Sequence, residues 1–542
     1  MNVGEAMANI LKQEGVEYLF CYPTSQIIDE AAKIGIRPIV TRQERTGLHM
    51  ADAYSRMHNG EKFGVFAMQH GPGTENAYGG VAQAFAESVP MLVIPQGYQR
   101  RIAGVSPNFS AVDNMRGITK MAEVLNMPSE VSNVMRRAFS QMRNGRGGPV
   151  LVEVPSDVWA QDAAVTRDYV PVTGTRYAPD PGDVARAVDL LCAAERPVIY
   201  AGQGVHYAKA WPQLRALAER LALPVATSLP GKSAFPEDHP LSLGSAGLSY
   251  PAPVKHFIRE ADVILGIGCS FTETVFGVPM PSERRVIHVT LDPSHLNKDL
   301  RAEVGLIGDA GLALDAILAE LDRRNVAPRQ QDRTAGQIRD VRETWLAEWM
   351  PKLTSDETPL SPYRVIWELM DAAKDEKVVV TNDAGRPRDQ LTPFWVSREP
   401  QSFIGWGKST QLGYGLGLAM GAKLACPDRV CINVWGDAAI GFTGTDIETA
   451  VRERIPVLSI LFNNGGMATE KRNLPVAIER YNMADITGNY SEMARALGAY
   501  AERITAPDEI ASAIRRGIAK TKEGVPVLLE FITKQETAFP QP

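Results

Sequence analysis

Residues 434–444 read VWGDAAIGFTG, and residues 461–466 read LFNNGG. In each segment an apolar run typical of a buried strand ends directly before polar residues, and Asn464 follows Asp437 by 27 residues. Parallel sheets bind ligands where their strands end on the carboxyl side, so both side chains are expected to face one site. Mg²⁺ prefers hard oxygen ligands and shares them with phosphates. We therefore predict a magnesium site made of Asp437, Asn464 and the backbone carbonyl of Gly466.

The residues around Asp437 are small. Gly436, Ala438 and Ala439 leave room for backbone N–H groups to approach a phosphate at the start of a helix, and a helix is also expected near Thr445. Two unrelated turns are the alternative interpretation. The pairing of Gly-Asp with Asn-Asn, each after an apolar strand, favours a shared site.

These two segments resemble the signature of thiamine diphosphate (ThDP) enzymes of the acetolactate synthase and pyruvate decarboxylase superfamily. The usual pattern has Gly and Ser after the Asp, where this chain has Ala438 and Ala439, so residue 439 offers no hydroxyl to the diphosphate. The resemblance covers nearly the whole chain and implies ThDP and Mg²⁺ as cofactors. The cofactor-binding residues that it implies are Pro23, Glu44, Asn76, Gly385, Gln411, Leu412, Gly436, Asp437, Ala438, Ala439, Asn464, Gly466 and Met467.

The rest of the chain alternates short apolar runs with helical patterns, which predicts an α/β protein with mostly parallel sheets. Residues 166–181 and 325–336 are rich in Pro and polar residues and are interpreted as linkers. The predicted domains are 1–165, 180–325 and 355–525, followed by a C-terminal tail at 526–542. The resemblance implies three doubly wound domains: pyrimidine-binding, Rossmann-like and diphosphate-binding.

Glu44 lies in the segment TRQERTG, at the start of a predicted helix. A Glu in a first helical turn can simply offset the helix dipole. The resemblance implies a second role, in which the carboxylate binds N1′ of the aminopyrimidine so that the cofactor's own 4′-nitrogen takes the C2 proton. It also implies that Glu44 serves a cofactor bound to another subunit, so a homodimer is the minimal active unit and a homotetramer is expected.

Two further segments complete the implied cofactor site. In the Gly-rich segment 407–415, the resemblance identifies Leu412 as the apolar wedge that bends ThDP; simple helix packing is the alternative. The turn 382–385 resembles the family's cofactor-binding turn after the first strand of the third domain.

The segment MQHGPGTENA at residues 68–77 follows a strand and opens a helix. The resemblance places Gln69 and His70 beside the reacting carbon, and it places Phe109 near the substrate. His70 could bind a substrate oxygen, or it could pack in the turn. His49 is interpreted as structural.

The middle domain contains a strand that ends in Gly202-Gln-Gly204, which is weak support for nucleotide binding. The resemblance allows FAD or ADP there, or no ligand, and we favour no ligand.

Short segments of the chain resemble particular members of the superfamily, and these resemblances imply the kind of substrate. The segment 436–450 resembles oxalyl-CoA decarboxylases and 2-hydroxyacyl-CoA lyases more than acetolactate synthases, and the run QxGPGxENA and residues 528–533 resemble bacterial 2-hydroxyacyl-CoA lyases. Those lyases split a 2-hydroxyacyl-CoA into formyl-CoA and an aldehyde or ketone, and the reverse condensation is also expected. The alternative is an acetolactate synthase-like carboligase or decarboxylase of free 2-oxo acids. A CoA thioester needs cationic groups, for which Arg386, Arg388, Lys408 and the pair Arg100-Arg101 are candidates, although each could be a surface charge.

Glu470 falls where the family places residues that face the substrate, and it is a catalytic candidate unless it is an exposed carboxylate at a helix start. The segment 467–485 and the tail could close over the site as a lid, with disorder as the alternative for the tail.

Bulk composition limits the partners and the location. The net charge of −6 over 542 residues argues against nucleic acid and anionic membranes as partners. Five scattered cysteines without a CxxC pair predict reduced thiols in a cytoplasmic protein. No apolar stretch is long enough to span a bilayer, and the N-terminal residues predict an ordinary helix.

Overall fold

The computed structural model describes residues 1–163, 169–469 and 473–541 of the chain. It contains three sheets of six strands, and neighbouring strands are parallel in all three. Helices pack around each sheet. The predicted α/β class with three doubly wound domains is confirmed. None of the helices within the described residues is long and apolar enough to cross a membrane.

The first sheet has the strand order β2-β1-β3-β4-β6-β5. Its strands are β1 (Tyr18–Cys21), β2 (Arg37–Val40), β3 (Gly64–Met68), β4 (Met91–Gly97), β5 (Met121–Val124) and β6 (Pro149–Pro155). Its helices are α1 (Val3–Gln13), α2 (Gln26–Lys33), α3 (Glu44–Met57), α4 (Pro72–Ala86), α5 (Ala111–Met115) and α6 (Val131–Arg143).

The middle sheet has the order β12-β11-β10-β7-β8-β9. Its strands are β7 (Pro197–Ala201), β8 (Val225–Ser228), β9 (Ser242–Ala246), β10 (Val263–Ile267), β11 (Arg285–Thr290) and β12 (Val304–Ile307). Its helices are α7 (Pro181–Ala193), α8 (Gly204–Tyr207), α9 (Trp211–Leu221), α10 (Ala252–Glu260) and α11 (Ala310–Arg323). All these strands are parallel, but the order in which successive strands are added reverses between β7 and β10, as in a Rossmann fold.

The third sheet has the order β14-β13-β15-β16-β18-β17. Its strands are β13 (Val378–Asn382), β14 (Phe403–Ile404), β15 (Val430–Gly436), β16 (Val457–Asn463), β17 (Tyr500–Ile504) and β18 (Val527–Ile532). After α12 (Asp332–Leu353), its helices are α13 (Pro362–Ala372), α14 (Arg386–Leu391), α15 (Tyr414–Ala425), α16 (Asp437–Thr443), α17 (Ile447–Arg452), α18 (Pro475–Tyr481), α19 (Tyr490–Ala496) and α20 (Ile510–Lys522).

The first and third sheets share one topology. If the strands of each sheet are numbered from its own first strand, both sheets have the order 2-1-3-4-6-5. The helix that follows the second strand is α3 in the first domain and α15 in the third domain. These two helices therefore hold equivalent places in two copies of one fold, and both begin at the carboxyl edge of their sheet.

Burial explains why these strands are parallel and central. Strands β3 and β16 are buried along their whole length, and the first five residues of β4 are buried too. Such burial is expected for strands that helices cover on both faces. Strand β5 lies at an edge of the first sheet and is only half-buried along its length. An apolar run that is buried on both faces therefore reveals the central strands better than the edge strands.

The second linker and the C-terminal tail have different boundaries in the structure from those predicted from the sequence. Helix α12 begins at Asp332, so the second predicted linker ends inside a helix. The segment predicted as a C-terminal tail begins with β18, whose apolar side chains lie inside the third sheet, so only the residues from Thr533 onward leave the sheet.

Candidate functional site

The ends of β15 and β16 meet at the carboxylate of Asp437. Its Oδ2 accepts hydrogen bonds from the N–H groups of Asn464 (3.1 Å) and Gly466 (3.2 Å). Its Oδ1 accepts from the N–H of Ala438 at 2.9 Å, and Asn464 Oδ1 accepts from the N–H of Gly466 at 3.1 Å. The structure therefore brings the predicted metal ligands Asp437, Asn464 and Gly466 together.

The donor set at this turn fits a hard cation that shares its ligands with phosphate. The described residues contain no group of three or more His, Cys, Asp or Glu side chains that could hold a metal. A magnesium ion here would take one carboxylate, one amide and one backbone oxygen, with phosphate completing its shell. Burial raises the pKa of Asp437, and the backbone N–H groups around it oppose that shift.

Helix α16 begins at Asp437 itself, with Gly436 as its N-cap, rather than near Thr445 as predicted. The run Asp-Ala-Ala has no residue that stops a helix, so the helix starts where the strand ends. Ala438 and Ala439 consequently lie in the first turn, where backbone N–H groups have no carbonyl partner within the helix, and the N–H of Ala438 binds Oδ1 of Asp437 instead. Both alanines suit a phosphate at this position.

The C-terminal segment lies over the same turn. Gln535 Nε2 donates to the carbonyl of Asn464 at 3.0 Å, and a Cβ added at Gly466 would stand 2.9 Å from that nitrogen. Tyr363 donates its hydroxyl to the carbonyl of Ala538 at 2.6 Å, which fixes the segment further along. Met467 is half-buried, and its N–H donates to the carbonyl of Ala484 at 2.7 Å. The predicted catalytic residue Glu470 lies outside the described residues.

A second turn joins β13 to the start of α15. Asp383 accepts hydrogen bonds from the N–H groups of Gly413 (2.9 Å) and Gly415 (2.8 Å), and burial raises its pKa to about 6. Gly385 has a φ of +82° and caps α14, which explains the glycine at this point of the predicted cofactor turn. The predicted turn 382–385 contains Asp383, but the sequence predicts a role in cofactor binding for Gly385 alone.

Leu412 directly precedes Gly413, a glycine with a φ of +85°. A Cβ at Gly413 would stand 2.7 Å from the side chain of Phe442, so this turn is held tightly against the end of α16. Leu412 is half-buried against the core that the first and third domains share. Gln411 donates through Nε2 to the carbonyl of Gly79 on α4. The predicted wedge therefore stands where the two ThDP-type domains meet.

Glu44 opens α3 and is 3% exposed. Its Oε1 lies against the first turn of α4, because a Cβ added at Gly73 would stand 3.2 Å from it. Burial raises the pKa of Glu44, and a hydrogen bond with Asn76 opposes the shift. A buried carboxyl with a raised pKa is suited to share a proton with a ring nitrogen. Pro23 follows β1 and is exposed.

The helices α3 and α15 pack on each other within one chain. A Cβ added at Gly421 would stand 2.2 Å from the carbonyl of Met50, so only glycine permits this close approach. Asp446 accepts from the N–H of Arg42 (2.7 Å) and from the hydroxyl of Thr46 (2.6 Å) across the same interface. The dimer in which Glu44 contacts a cofactor bound to the partner subunit stays a prediction. This packing supports the alternative that Glu44 contacts the cofactor bound to its own chain.

Gln69 and His70 lie half-buried at the end of β3. The ring of His70 contacts Tyr98 with 4.5 Å between centroids, and its Nδ1 is buried without a partner among the described residues. Phe109 lies half-buried after β4, at the same edge of the sheet. Sequence reasoning missed Tyr98, because only the pairing of β3 with β4 brings it to His70.

His49, interpreted as structural, is fully buried, and burial lowers its pKa to about 3. Its ring packs on Tyr414 with 4.6 Å between centroids.

The cationic candidates lie in three places. Arg100 is tied to the surface carboxylate of Asp157 at 2.9 Å, which matches the alternative of a surface charge. Arg386 and Arg388 lie together in the first turn of α14. Lys408 faces a cavity beside the middle domain, where burial lowers its pKa.

That cavity has a volume of about 470 Å³. It lies at the carboxyl ends of β7 and β10, where the strand order of the middle sheet reverses. Sheets of this kind bind nucleotides at that point. Its lining includes Gln203, Gly204, Gly268, Phe276, Asp292 and Lys408. The volume is within the range of small-molecule sites.

Comparison with known proteins identifies all three domains. Residues 1–120 match the thiamine pyrophosphate enzyme N-terminal TPP binding domain, residues 184–317 the thiamine pyrophosphate enzyme central domain, and residues 383–531 the thiamine pyrophosphate enzyme C-terminal TPP binding domain.

The chain is also similar to curated proteins along its whole length. A probable acetolactate synthase large subunit of Methanocaldococcus jannaschii is 30% identical, over 100% of this chain and 93% of that protein. An acetolactate synthase large subunit of Parasynechococcus marenigrum is 32% identical, over 92% of this chain and 83% of that protein. The acetolactate synthase isozyme 3 large subunit of Escherichia coli is 27% identical, over 99% and 96%. The chain therefore belongs to the thiamine pyrophosphate enzyme family, whose cofactor is ThDP.

Proposed function

We propose that the chain is a ThDP- and Mg²⁺-dependent carboligase that acts on free 2-oxo acids, as acetolactate synthases do. The observation that carries this proposal is the similarity to acetolactate synthase large subunits along the whole chain. In the proposed reaction the C1–C2 bond of a donor 2-oxo acid breaks and CO₂ leaves. The remaining acyl carbon bonds to C2 of an acceptor 2-oxo acid, and the acceptor's carbonyl oxygen takes one proton.

The chain's own residues have separate tasks in this proposal. ThDP, when bound, supplies the electron sink for cleavage beside a carbonyl group. Asp437, Asn464 and the carbonyl of Gly466 would hold Mg²⁺ and, through it, the diphosphate. Glu44 would share a proton with N1′ of the cofactor, and its hydrogen bond with Asn76 orients the carboxyl. His70, whose Nδ1 has no partner among the described residues, would exchange a proton with a substrate oxygen.

The expected 2-hydroxyacyl-CoA lyase is less well supported than this alternative. It rested on residues 436–450, one loop and residues 528–533, whereas the alignment with an acetolactate synthase large subunit spans the whole chain. Small residues after Asp437 satisfy the steric needs of a phosphate in either kind of enzyme. The cationic candidates also divide between α14, the cavity and the surface, rather than forming one CoA pocket.

A product assay separates the two activities. The purified chain with ThDP and Mg²⁺ is expected to form acetolactate and CO₂ from pyruvate. The same preparation is offered a panel of 2-hydroxyacyl-CoAs, and formyl-CoA is measured. Formyl-CoA formation without any product from 2-oxo acids would overturn the carboligase proposal in favour of the lyase.

We further propose that two chains form the active unit. Three aromatic side chains near the carboxyl edges of the two ThDP-type sheets are partly exposed: Tyr22 (37%), Tyr78 (42%) and Phe442 (50%). A second copy of the chain would bury them.

Complementation between two inactive variants tests which chain supplies Glu44. Glu44→Gln and Asp437→Ala chains carrying different tags are co-expressed, and the mixed dimer is purified through both tags. If Glu44 serves the partner, one of the two sites in the mixed dimer is intact, so about half of the wild-type activity is expected. If each chain completes its own site, both sites are defective, and a mixed dimer without activity would contradict the proposal.

The cavity of the middle domain favours a second ligand, against the expectation that this domain binds none. We infer that it takes a nucleotide, whose phosphates Lys408 would meet at the strand ends. ADP and FAD are each expected to raise the melting temperature of the wild-type chain if they fit, and Lys408→Met is expected to reduce that rise. No rise with either nucleotide, and no nucleotide released from the denatured protein, would contradict the inference.

A further inference from the structure

Leu412 lies between the carboxyl group proposed to bind the aminopyrimidine and the turn proposed to hold the diphosphate. On its N-terminal side, Gln411 binds the carbonyl of Gly79 on α4, the helix whose first turn contacts Glu44. On its C-terminal side, Gly413 packs against the last turn of α16, the helix that begins at the metal turn. The half-buried side chain of Leu412 would therefore touch the middle of a cofactor that spans these two places.

The residue after Leu412 is held at both of its backbone groups. The N–H of Gly413 donates to Oδ1 of Asp383 at 2.9 Å, and its carbonyl accepts from the hydroxyl of Thr443 at 2.8 Å. A side chain that bends a ligand must not yield itself, so the backbone beside it has to be fixed. Asp383 and Thr443 fix it from two directions, the turn after β13 and the end of α16.

Both carboxylate oxygens of Asp383 take part in this turn. Its Oδ2 accepts from the N–H of Gly415 at 2.8 Å, and its Oδ1 accepts from the N–H of Ala384 at 2.7 Å as well as from Gly413. The side chain is completely buried, and burial raises its pKa to about 6, so the carboxyl is largely ionised at neutral pH. Burying a carboxylate is costly, and here backbone N–H groups offset that cost.

A neutral amide at position 383 could not replace this carboxylate. Asparagine has one acceptor oxygen, and its NH₂ group would face the N–H of either Gly413 or Gly415, a donor against a donor. An ionised carboxylate accepts at both oxygens and so holds the two glycine N–H groups at once. The geometry of the turn thus accounts for a buried charge that a hydrogen bond to a single N–H group would not need.

We propose that Asp383, with Thr443 as its partner, is a positioning residue for the bend of the cofactor, because it clamps the turn after Leu412 and keeps that side chain in place. A loose wedge would let the cofactor's 4′-nitrogen move away from C2, which would slow the removal of the C2 proton while the diphosphate stays bound. The proposal deepens the proposed function. It rests on ThDP as the cofactor and on the wedge role of Leu412, and it does not depend on the substrate.

The test compares Asp383→Asn, Leu412→Ala and the double variant. Exchange of the C2 proton with D₂O is followed by NMR in chains saturated with ThDP and Mg²⁺, and ThDP affinity is measured by calorimetry. Amide hydrogen exchange of residues 407–415 is measured by mass spectrometry in chains without ThDP. Glu14→Gln is the matched control, since Glu14 is a buried carboxylate of the first domain that accepts from the N–H of Val172 at 3.0 Å.

Asp383→Asn is expected to slow C2 exchange by about 10- to 100-fold, the range for losing a hydrogen bond with a charged group. Its ThDP affinity should change by less than about threefold, because the metal turn keeps its ligands. Without ThDP, the amides of residues 407–415 should exchange at least about tenfold faster than in the wild type. Glu14→Gln should lower the melting temperature and leave all three measurements unchanged.

The double variant shows whether Asp383 acts through Leu412. If it does, C2 exchange in the double variant is no slower than in the slower single variant, since both changes disable the same wedge. Multiplied losses would overturn the proposal, because the two residues would then act independently. A loss of ThDP affinity as large as the loss of C2 exchange would also overturn it, as would wild-type C2 exchange in either single variant.

Thr443→Val keeps the proposal testable if Asp383→Asn does not fold. Valine has nearly the size of threonine and releases only the carbonyl of Gly413, so C2 exchange is expected to slow by about 3- to 10-fold, the range for a neutral hydrogen bond. This loss must disappear in the background of Leu412→Ala. An unchanged rate in Thr443→Val, or an equal loss in both backgrounds, would overturn the proposal.

Failure of the proposed function is distinguishable from failure of this inference. C2 exchange needs no substrate, so it can be measured even if the wild type forms no product from any 2-oxo acid. In that case the carboligase proposal fails by itself, and the comparison of Asp383→Asn with Leu412→Ala still decides the role of Asp383.

Discussion

Glu44→Gln is expected to lower turnover by about 10²- to 10⁴-fold, the range for loss of a positioned acid–base group. The amide keeps the size of the side chain and cannot exchange a proton with N1′ of the cofactor. Glu44 is buried against α4 and contacts Asn76, so its carboxyl is held in one place. Binding of ThDP is expected to persist, because the metal turn lies on the third domain.

The exchange of the cofactor's C2 proton with D₂O, followed by NMR, measures this role without any substrate. Exchange should slow in Glu44→Gln by a factor similar to the loss of turnover. Glu75→Gln, at an exposed carboxylate in the first turn of α4, serves as the control and should behave as the wild type. Unchanged exchange and turnover in Glu44→Gln would show that Glu44 only opens its helix.

Asp437→Ala is expected to weaken Mg²⁺-dependent ThDP binding at least about 100-fold, more than the loss of a residue that only supports a ligand. Asp437 is the carboxylate on which Asn464 and Gly466 converge. Without it the ion would have only neutral protein oxygens. Calorimetric titration of the chain with ThDP, in Mg²⁺ and in EDTA, measures the change.

The alanine variant also leaves the N–H groups of Ala438, Asn464 and Gly466 without their acceptor, which costs stability. Asp437→Asn retains an oxygen for these donors and removes the charge, so it separates metal binding from folding. Asn at 437 should restore much of the melting temperature and little of the ThDP affinity. Tight Mg²⁺-dependent binding in both variants would refute the metal site.

The strand ends that carry Asp437 and Asn464 could be predicted because a local pattern there combines with a general rule. An apolar strand that ends in Asp or Asn indicates a carboxyl edge, and parallel sheets gather such edges. Gly413 and Gly385 both have positive φ and mark turns that only glycine adopts easily. Where these local signals were absent, as for Tyr98 beside His70, prediction from the sequence failed.

The substrate was predicted less well than the cofactor. The likeness to 2-hydroxyacyl-CoA lyases came from residues 436–450, one short loop and residues 528–533. The small residues after Asp437 meet a steric need that is common to many ThDP enzymes. The curated relatives, similar over nearly the whole chain, favour an acetolactate synthase-like carboligase. Short segments around a shared cofactor carry little information about the substrate, because the cofactor and not the substrate constrains them.

The sequence alone determined the α/β class, the strand ends that carry Asp437 and Asn464, and the helix that Glu44 begins, since each depends on residues close together in the chain. Only the tertiary structure decided which distant groups meet. Arg388 contacts Phe276 and Trp406, Gln535 contacts Asn464, and Asp446 joins the third domain to Arg42 of the first. These contacts follow from how sheets and helices pack, and no periodicity or spacing in the sequence encodes them.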